Sequence, residues 1–264
     1  MPCETLLKVE HPATGVAWIT MARPEVFNAF DEKMISELDG AFATLAQDPE
    51  IRVIVLAGEG KHFSAGADLQ WMRRASESAF AWNLADARRF AAMLGRIEAC
   101  PKPTIARVQG AALGGGFGLA CACDIAIASI DASFAVSEAR FGILPSVIGP
   151  YVTNALGKRH AKRLALTAVR LDAQTAHAIG LVHRVVACDE LDGAVQEEID
   201  LLLAASPNAQ REIKRLFGQL HVGPVEENVR ELTAQTIARV RGTDEAREGF
   251  AAFLGKRPAN WIPL

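Results

Sequence analysis

Ile105–Glu138 reads IARVQGAALGGGFGLACACDIAIASIDASFAVSE. It opens as an apolar strand, breaks on glycine and resumes as a run of small residues. Two more short strands follow, over Ile125–Ser129 and Ser133–Val136. The three consecutive glycines Gly114–Gly116 fall where strand turns into helix. Residues without a Cβ let another group approach the backbone closely. A helix N-terminus adds unpaired N–H groups and a partial positive charge. Such a turn can bind a phosphate or hold the negative oxygen of an enolate. The glycines alone are equally compatible with tight helix–strand packing and nothing more.

Nucleotide-binding patterns do not fit. G-x-G-x-x-G/A fails because the last position is Leu119 counted from Gly114 and Cys121 counted from Gly116. No lysine follows to make a P-loop, and no G-x-S-x-G elbow occurs in the chain.

On either side of this stretch the chain alternates strands and helices. Leu6–Glu10 and Val16–Met21 pattern as paired strands, with Pro12 and Gly15 as turn residues between them. Asp31 is placed to cap a helix over Glu32–Ala46, with Met34, Leu38, Phe42 and Leu45 on one face. The β-branched run ending at Ala57 predicts a buried parallel strand. Asp68 is placed to cap the next helix, and Leu69–Ala99 reads as one long, irregular helical stretch. Thr104–Val108 predicts a strand, Val152–Thr167 a helix with Lys158, Arg159, Lys162 and Arg163 outward, and Leu181–Val186 a last strand. Beyond Asp189 the pattern is helical over Glu190–Ala205, Asn208–Leu220, Pro224–Arg241 and Glu245–Leu254, with Pro207 and Pro224 at helix starts. The expected fold class is therefore α/β, with a core over residues 1–188 and a helical region over 189–264.

The chain has 264 residues, half of them hydrophobic, and a net charge of −3. The charge speaks against a general nucleic-acid partner. Five cysteines, Cys3, Cys100, Cys121, Cys123 and Cys188, lack metal-site spacing. Cys121 and Cys123 lie in an apolar run and read as reduced core residues, and no metal site is expected. The N-terminal residues lack a basic segment followed by an apolar one. No run approaches the ~18 apolar residues of a membrane span. A cytoplasmic protein without membrane partners is expected.

Five segments in order resemble the crotonase (enoyl-CoA hydratase/isomerase) superfamily. Arg23–Phe30, RPEVFNAF, is similar to its early R-P-x-x-x-N-A segment, and His62–Leu69, HFSAGADL, to its first oxyanion loop. Gly110–Ala120, GAALGGGFGLA, resembles the second oxyanion loop, and Ser137–Pro145, SEARFGILP, the catalytic-acid segment. Glu248–Pro258, EGFAAFLGKRP, resembles the closing helix. The resemblance implies a crotonase-like spiral of repeated ββα units in two stacked sheets, with a C-terminal helical trimerisation region. It also implies a coenzyme A thioester substrate, a homotrimer or dimer of trimers, and no cofactor beyond the coenzyme A carried by the substrate.

Transferred position by position, the backbone N–H groups of Ala67 and Gly115 would form the oxyanion hole. Two preset donors stabilise a developing enolate by roughly 3 kcal/mol or more. Val26, Ala65, Asp68 and Leu69 would line the adenine and pantetheine path, and Phe253 and Lys256 would reach the coenzyme from the last helix. Glu138 matches the family's second glutamate and would donate or remove the proton at Cα. Its neighbours Val136, Phe141 and Ile143 are apolar, so desolvation should raise its pKa.

Two departures bear on subtype. Where the family's hydratases carry another glutamate, this chain has Gly118; Pro145–Tyr151, PSVIGPY, replaces the usual Gly-rich turn. A lone glutamate also matches the enoyl-CoA isomerase arrangement. However, SAGADLQWMR, GLACACDIAI and LPSVIGPYV together resemble the methylglutaconyl-CoA and isohexenylglutaconyl-CoA hydratase branch, which carries the same glycine. The expected activity is hydration of a branched enoyl-CoA with a distal carboxylate. The alternatives are a Δ3,Δ2-enoyl-CoA isomerase and a weakly catalytic acyl-CoA-binding relative. Arg73, Arg74 and Arg140 lie near the motifs, either as partners of a distal carboxylate or as ordinary surface charges. His62 is given no chemistry, because the loop it precedes works through its backbone.

Overall fold

The computed structural model describes residues 5–262, and Cys3 lies outside them. β1 (Leu7–Ala13) and β2 (Val16–Met21) pair antiparallel, and β3 (Val53–Gly58), β4 (Thr104–Val108), β6 (Ile125–Ser129) and β9 (Arg184–Val186) extend the sheet in parallel. The order is β1-β2-β3-β4-β6-β9. A second sheet orders β5 (Ala111–Leu113), β7 (Ser133–Ala135) and β8 (Leu171–Asp172). The chain drops from the first sheet to the second twice, from β4 into β5 and from β6 into β7. The first drop bends at Gly110, where φ is +56° and a Cβ would sit 2.2 Å from Lys61 O.

Strand periodicity divides the interior. Val53 and Val55 face one way and Ile54 and Leu56 the other. The first pair joins Val16, Ile105 and Ile127 beneath α7 (Leu191–Ala204), which brings Leu191, Val195 and Ile199 onto that face. The second pair joins the larger core with α1 (Glu32–Gln47), α3 (Phe80–Glu98), α4 (Gly115–Ala122) and α5 (Gly149–Thr167). Burial on both faces is why β3 reads as an unbroken apolar run. The expected division at 188/189 falls in the short turn Cys188–Glu190, after which α7 packs back over the sheet.

Several local readings need correction. Pro12 lies inside β1, which is an exposed edge strand where a missing N–H is tolerated; the turn is at Gly15, with φ +80°. The stretch from Leu69 breaks at Ser78–Ala79 into α2 (Leu69–Glu77) and α3. α5 is kinked at Gly157, where φ is +72°. Only Arg184–Val186 of the last expected strand forms ladder pairs, while β8 and α6 (Ala173–Ala178) are additional elements. α8 (Pro207–Phe217) does start on Pro207, but α9 (Glu227–Arg241) starts after Pro224, not on it. α10 (Asp244–Leu254) is capped by Thr243. Cys100 and Cys123 are buried and free, and burial pushes the Cys123 thiol up to about 12.

Candidate active site

The two small-residue turns are sewn together by backbone. Ser64 N donates to Ala111 O at 3.0 Å and Leu113 N to Ser64 O at 3.0 Å, so the turn at the C-terminal end of β3 runs beside β5. Gly66 has φ +87°, and a Cβ there would lie 2.5 Å from Leu113 O and 3.3 Å from Gly115 N. Side chains brace the first turn. The Ser64 hydroxyl donates to Asn28 O at 2.8 Å and accepts from Gly66 N at 3.1 Å. Asn28 is fully buried, with φ +53°. Its Oδ1 accepts from Arg23 N at 2.9 Å, and its Nδ2 donates to Glu59 O at 2.9 Å and His62 O at 2.7 Å. Asn28 and Ser64 therefore brace the first turn, a task the sequence does not show even though both lie inside the family-like segments Arg23–Phe30 and His62–Leu69.

Gly114 caps α4 with φ +49° and ψ −117°, a conformation that a side chain would strain. A Cβ on Gly115 would fall 2.1 Å from Phe30 Cζ, so Phe30 forms a floor directly under the second turn. Phe30 also packs against Phe90, with ring centroids 5.3 Å apart, and Trp71, at 6.3 Å. Gly118 is closed off: a Cβ there would sit 2.4 Å from Ile148 Cγ2. No carboxylate fits at that position while Ile148 keeps its place.

Ala67, Gly115 and Glu138 line one cavity of about 520 Å³, with Phe30, Trp71 and Ile148 among its walls. Gly114 N donates to Ala135 O at 2.8 Å, which ties the second turn to β7 and so to Glu138 three residues on. A Cβ on Gly114 would lie 3.2 Å from Glu138 Oε1. Glu138 Oε2 is buried and, among the described residues, has no hydrogen-bond partner. Burial raises the Glu138 pKa, against the smaller opposing effect of nearby backbone donors.

The other expected residues separate into two groups. Val26, Ala65, Asp68 and Leu69 cluster at the first turn, where Ala65 N donates to Phe27 O at 2.9 Å. Asp68 caps α2 through Gln70 N at 2.8 Å and Trp71 N at 3.3 Å, and pairs with Arg23 at 3.3 Å. Leu69 is 74% exposed. Phe253 and Lys256 are not brought to the cavity of their own chain. Phe253 lines a depression with Phe250 and Trp261. That region is tied to the opposite end of β3, where Arg52 donates to Trp261 O and Ala205 O, both at 2.6 Å. The three arginines also stand away from the cavity lining. Arg74 pairs with Glu32 at 2.8 Å, Arg73 lies near Glu77 at 3.9 Å, and Arg140 is exposed. His62 has a structural task, its Nδ1 accepting from Ala111 N at 3.0 Å.

A carboxyl group with a buried oxygen, beside two glycine-built turns in one cavity of a two-sheet α/β core, is set in the crotonase fold, and the class this defines is an enzyme of that fold. The chain belongs to the enoyl-CoA hydratase/isomerase family, whose model matches residues 11–262. An enoyl-CoA hydratase structure from Shewanella pealeana superposes with a TM-score of 0.93 at 43% identity, covering 97% of this chain and 96% of that one. A putative enoyl-CoA hydratase of Thermus thermophilus is 34% identical, over 92% of this chain and 96% of its own. A crotonyl-CoA hydratase of Syntrophomonas wolfei is 32% identical over 99% of both chains.

Proposed function

We propose that the protein hydrates an α,β-unsaturated acyl-CoA thioester, with the N–H groups of Ala67 and Gly115 receiving the thioester oxygen and Glu138 handling the protons. The observation that carries this reading is the buried Glu138 Oε2, without a hydrogen-bond partner among the described residues, on a side chain that lines the same cavity as both turns. Glu138 in its acid form gives its proton to Cα. Water forms its O–C bond at Cβ and returns a proton to the carboxylate, so the group ends as it began. One carboxyl group has two oxygens for these two transfers, which answers the closed position at Gly118. The raised pKa keeps the acid form available nearer neutrality. No cofactor is needed, since coenzyme A is the carrier half of the substrate.

The finer reading is a branched, glutaconyl-type acyl chain in a homotrimer or dimer of trimers. The acyl chain rests on the resemblance of the Trp71, Gly118 and Ile148 segments to that branch, and the assembly on the resemblance to the superfamily with its C-terminal helical trimerisation region. A second reading, Δ3,Δ2-enoyl-CoA isomerase, is favoured by the same sealed Gly118, because isomerisation needs a single carboxylate.

Incubation with crotonyl-CoA, 3-methylglutaconyl-CoA and a 3-enoyl-CoA separates the readings. Hydratase activity gives loss of enoyl absorbance with a 3-hydroxy product. Conversion of the 3-enoyl to the 2-enoyl thioester without water uptake gives the isomerase instead. Glu138→Gln should lower turnover at least about a hundredfold, the lower range for a lost general acid. Wild-type rates in this variant would remove the proposal's centre.

A further inference from the structure

We infer that a second cavity, at the N-terminal ends of β3 and β4, is a binding site for a multiply charged, phosphate-type oxyanion. This site goes beyond the acyl-CoA reading and does not depend on it.

The cavity holds about 580 Å³ and shares no lining residue with the one that contains Glu138. Arg52 lies just before β3 and Lys102 shortly before β4; both line it, together with Arg211 of α8. β3 and β4 run parallel, and the first active-site turn follows the other end of β3. The six residues of that strand put roughly 20 Å between the two places.

The charged groups of the lining are these three cations and one carboxylate, Glu245. Glu245 is already engaged, its Oε2 accepting from the Ser206 hydroxyl and, at 3.0 Å, from Asn208 N. Among the described residues none of the three cations forms an ion pair, and all their acceptors are neutral. Arg52 donates to Trp261 O and Ala205 O, Lys102 Nζ to Asp48 O at 2.7 Å and to Ile51 O, and Arg211 to the side-chain oxygen of Asn208. Ile51 and Asn208 line the cavity themselves, so the charged ends of Lys102 and Arg211 lie at its wall. The three charges also feel one another. Burial lowers the Lys102 pKa, and Arg211 and Arg52 push it the same way, against Cys100 and Asp48. Neighbouring Lys214 shows the ordinary arrangement, paired with Asp124. Like charges gathered in a concavity without a counter-charge oppose one another, and an anion among them relieves that repulsion.

The wall also narrows the ligand. Three cations against one carboxylate leave two positive charges to be met. A phosphate group carries about −1.5 to −2 near neutrality, and guanidinium groups offer it paired N–H donors. Pro49, Pro101, Pro103 and Pro207 supply much of the remaining wall. Their fixed φ keeps the cavity formed before a ligand arrives, which lowers the cost of binding.

The test is calorimetry of the whole chain with inorganic pyrophosphate, in the presence of saturating coenzyme A. The wild type should take up one pyrophosphate per chain, with the same affinity as when coenzyme A is left out. Arg211→Gln should weaken it about tenfold, the loss expected for hydrogen bonding to a charged group, and Arg211→Lys, which keeps the charge, should weaken it less. Citrate, a carboxylate anion of similar charge, should bind about tenfold more weakly than pyrophosphate. ADP in place of pyrophosphate distinguishes the sources: tighter binding assigns the group to a nucleotide, weaker binding to a free anion. No uptake by the wild type, displacement by coenzyme A, equal affinity for citrate, or an unchanged affinity in Arg211→Gln would each overturn the inference. Arg211 is exposed and its hydrogen bond goes to one side chain, so its loss should leave the fold intact; the wild-type titrations stand regardless. Failure of coenzyme A to bind would count against the acyl-CoA reading alone, since pyrophosphate uptake is read independently of it.

Discussion

Glu138 carries a stability cost that its proposed role as proton carrier would explain. Its folded pKa lies above the ordinary value because burial disfavours the charge. Below the ordinary value both states hold the proton and the group is neutral to stability. As pH rises from there to the folded pKa, the unfolded chain releases its proton while the native one keeps it, so native stability falls. Glu138→Gln removes that loss. It should melt higher than the wild type at neutral pH and converge with it in acid, while losing turnover. A thermal scan from acid to neutral pH checks the sign, and a variant that melts lower at neutrality contradicts it. Gly118 is constrained by shape alone. Gly118→Ala puts a methyl 2.4 Å from Ile148 Cγ2 and should cost about 1–3 kcal/mol in denaturant unfolding. Ile148→Ala opens the space, so the double variant should be more stable than the sum of the two single losses predicts.

At the scale of elements, the site is two turns held in register by strands, and their bracing is what a linear reading misses. The cap of α1 was legible, because Asp31 is a short acceptor before an apolar-periodic run, and it does accept from Lys33 N and Met34 N. The cap of α2 by Asp68 was legible for the same reason. β3 and β4 announced themselves by β-branched content. The short β8 and α6 left no such signal, since a two-residue strand has no period to detect. The tasks of Asn28 and His62 leave no local signal, because their partners lie 34 and 49 residues away. His62 yields a pH prediction. Burial and the adjacent Lys61 lower its pKa, and its neutral Nδ1 accepts the Ala111 N–H that leads into the second turn. The unfolded chain takes up the proton first as pH falls. Stability is therefore fully present above the ordinary histidine value and declines as pH falls from there through the folded pKa. Melting curves of the wild type should show this decline, and His62→Gln should flatten it. An unchanged slope in the variant would assign the decline to other groups.

For the molecule as a whole, the core is finished but the C-terminal region is not. Phe217, Val225, Phe250, Phe253 and Leu254 are each more than 60% exposed, on or between helices that follow the sheet. Exposed apolar side chains of this size are what a surface of association would need. Phe253 lines a depression beside Trp261, whose carbonyl is tied to Arg52 at the start of β3, and neither Phe253 nor Lys256 lines the cavity that holds Glu138. Both facts have one solution if the C-terminal helices of one copy lie near the cavity of another. On that basis light scattering should give a multiple of the 28.3 kDa chain, and Phe250→Asp with Phe253→Asp should shift it toward the single-chain mass. Both side chains are exposed, so the chain's own packing should survive, which circular dichroism can check. If coenzyme binding is shared between copies, free coenzyme A should bind more weakly in the dissociated variant. A dissociated variant with undiminished coenzyme affinity would confine the whole coenzyme path to one chain, leaving Phe253 and Lys256 with an assembly role alone.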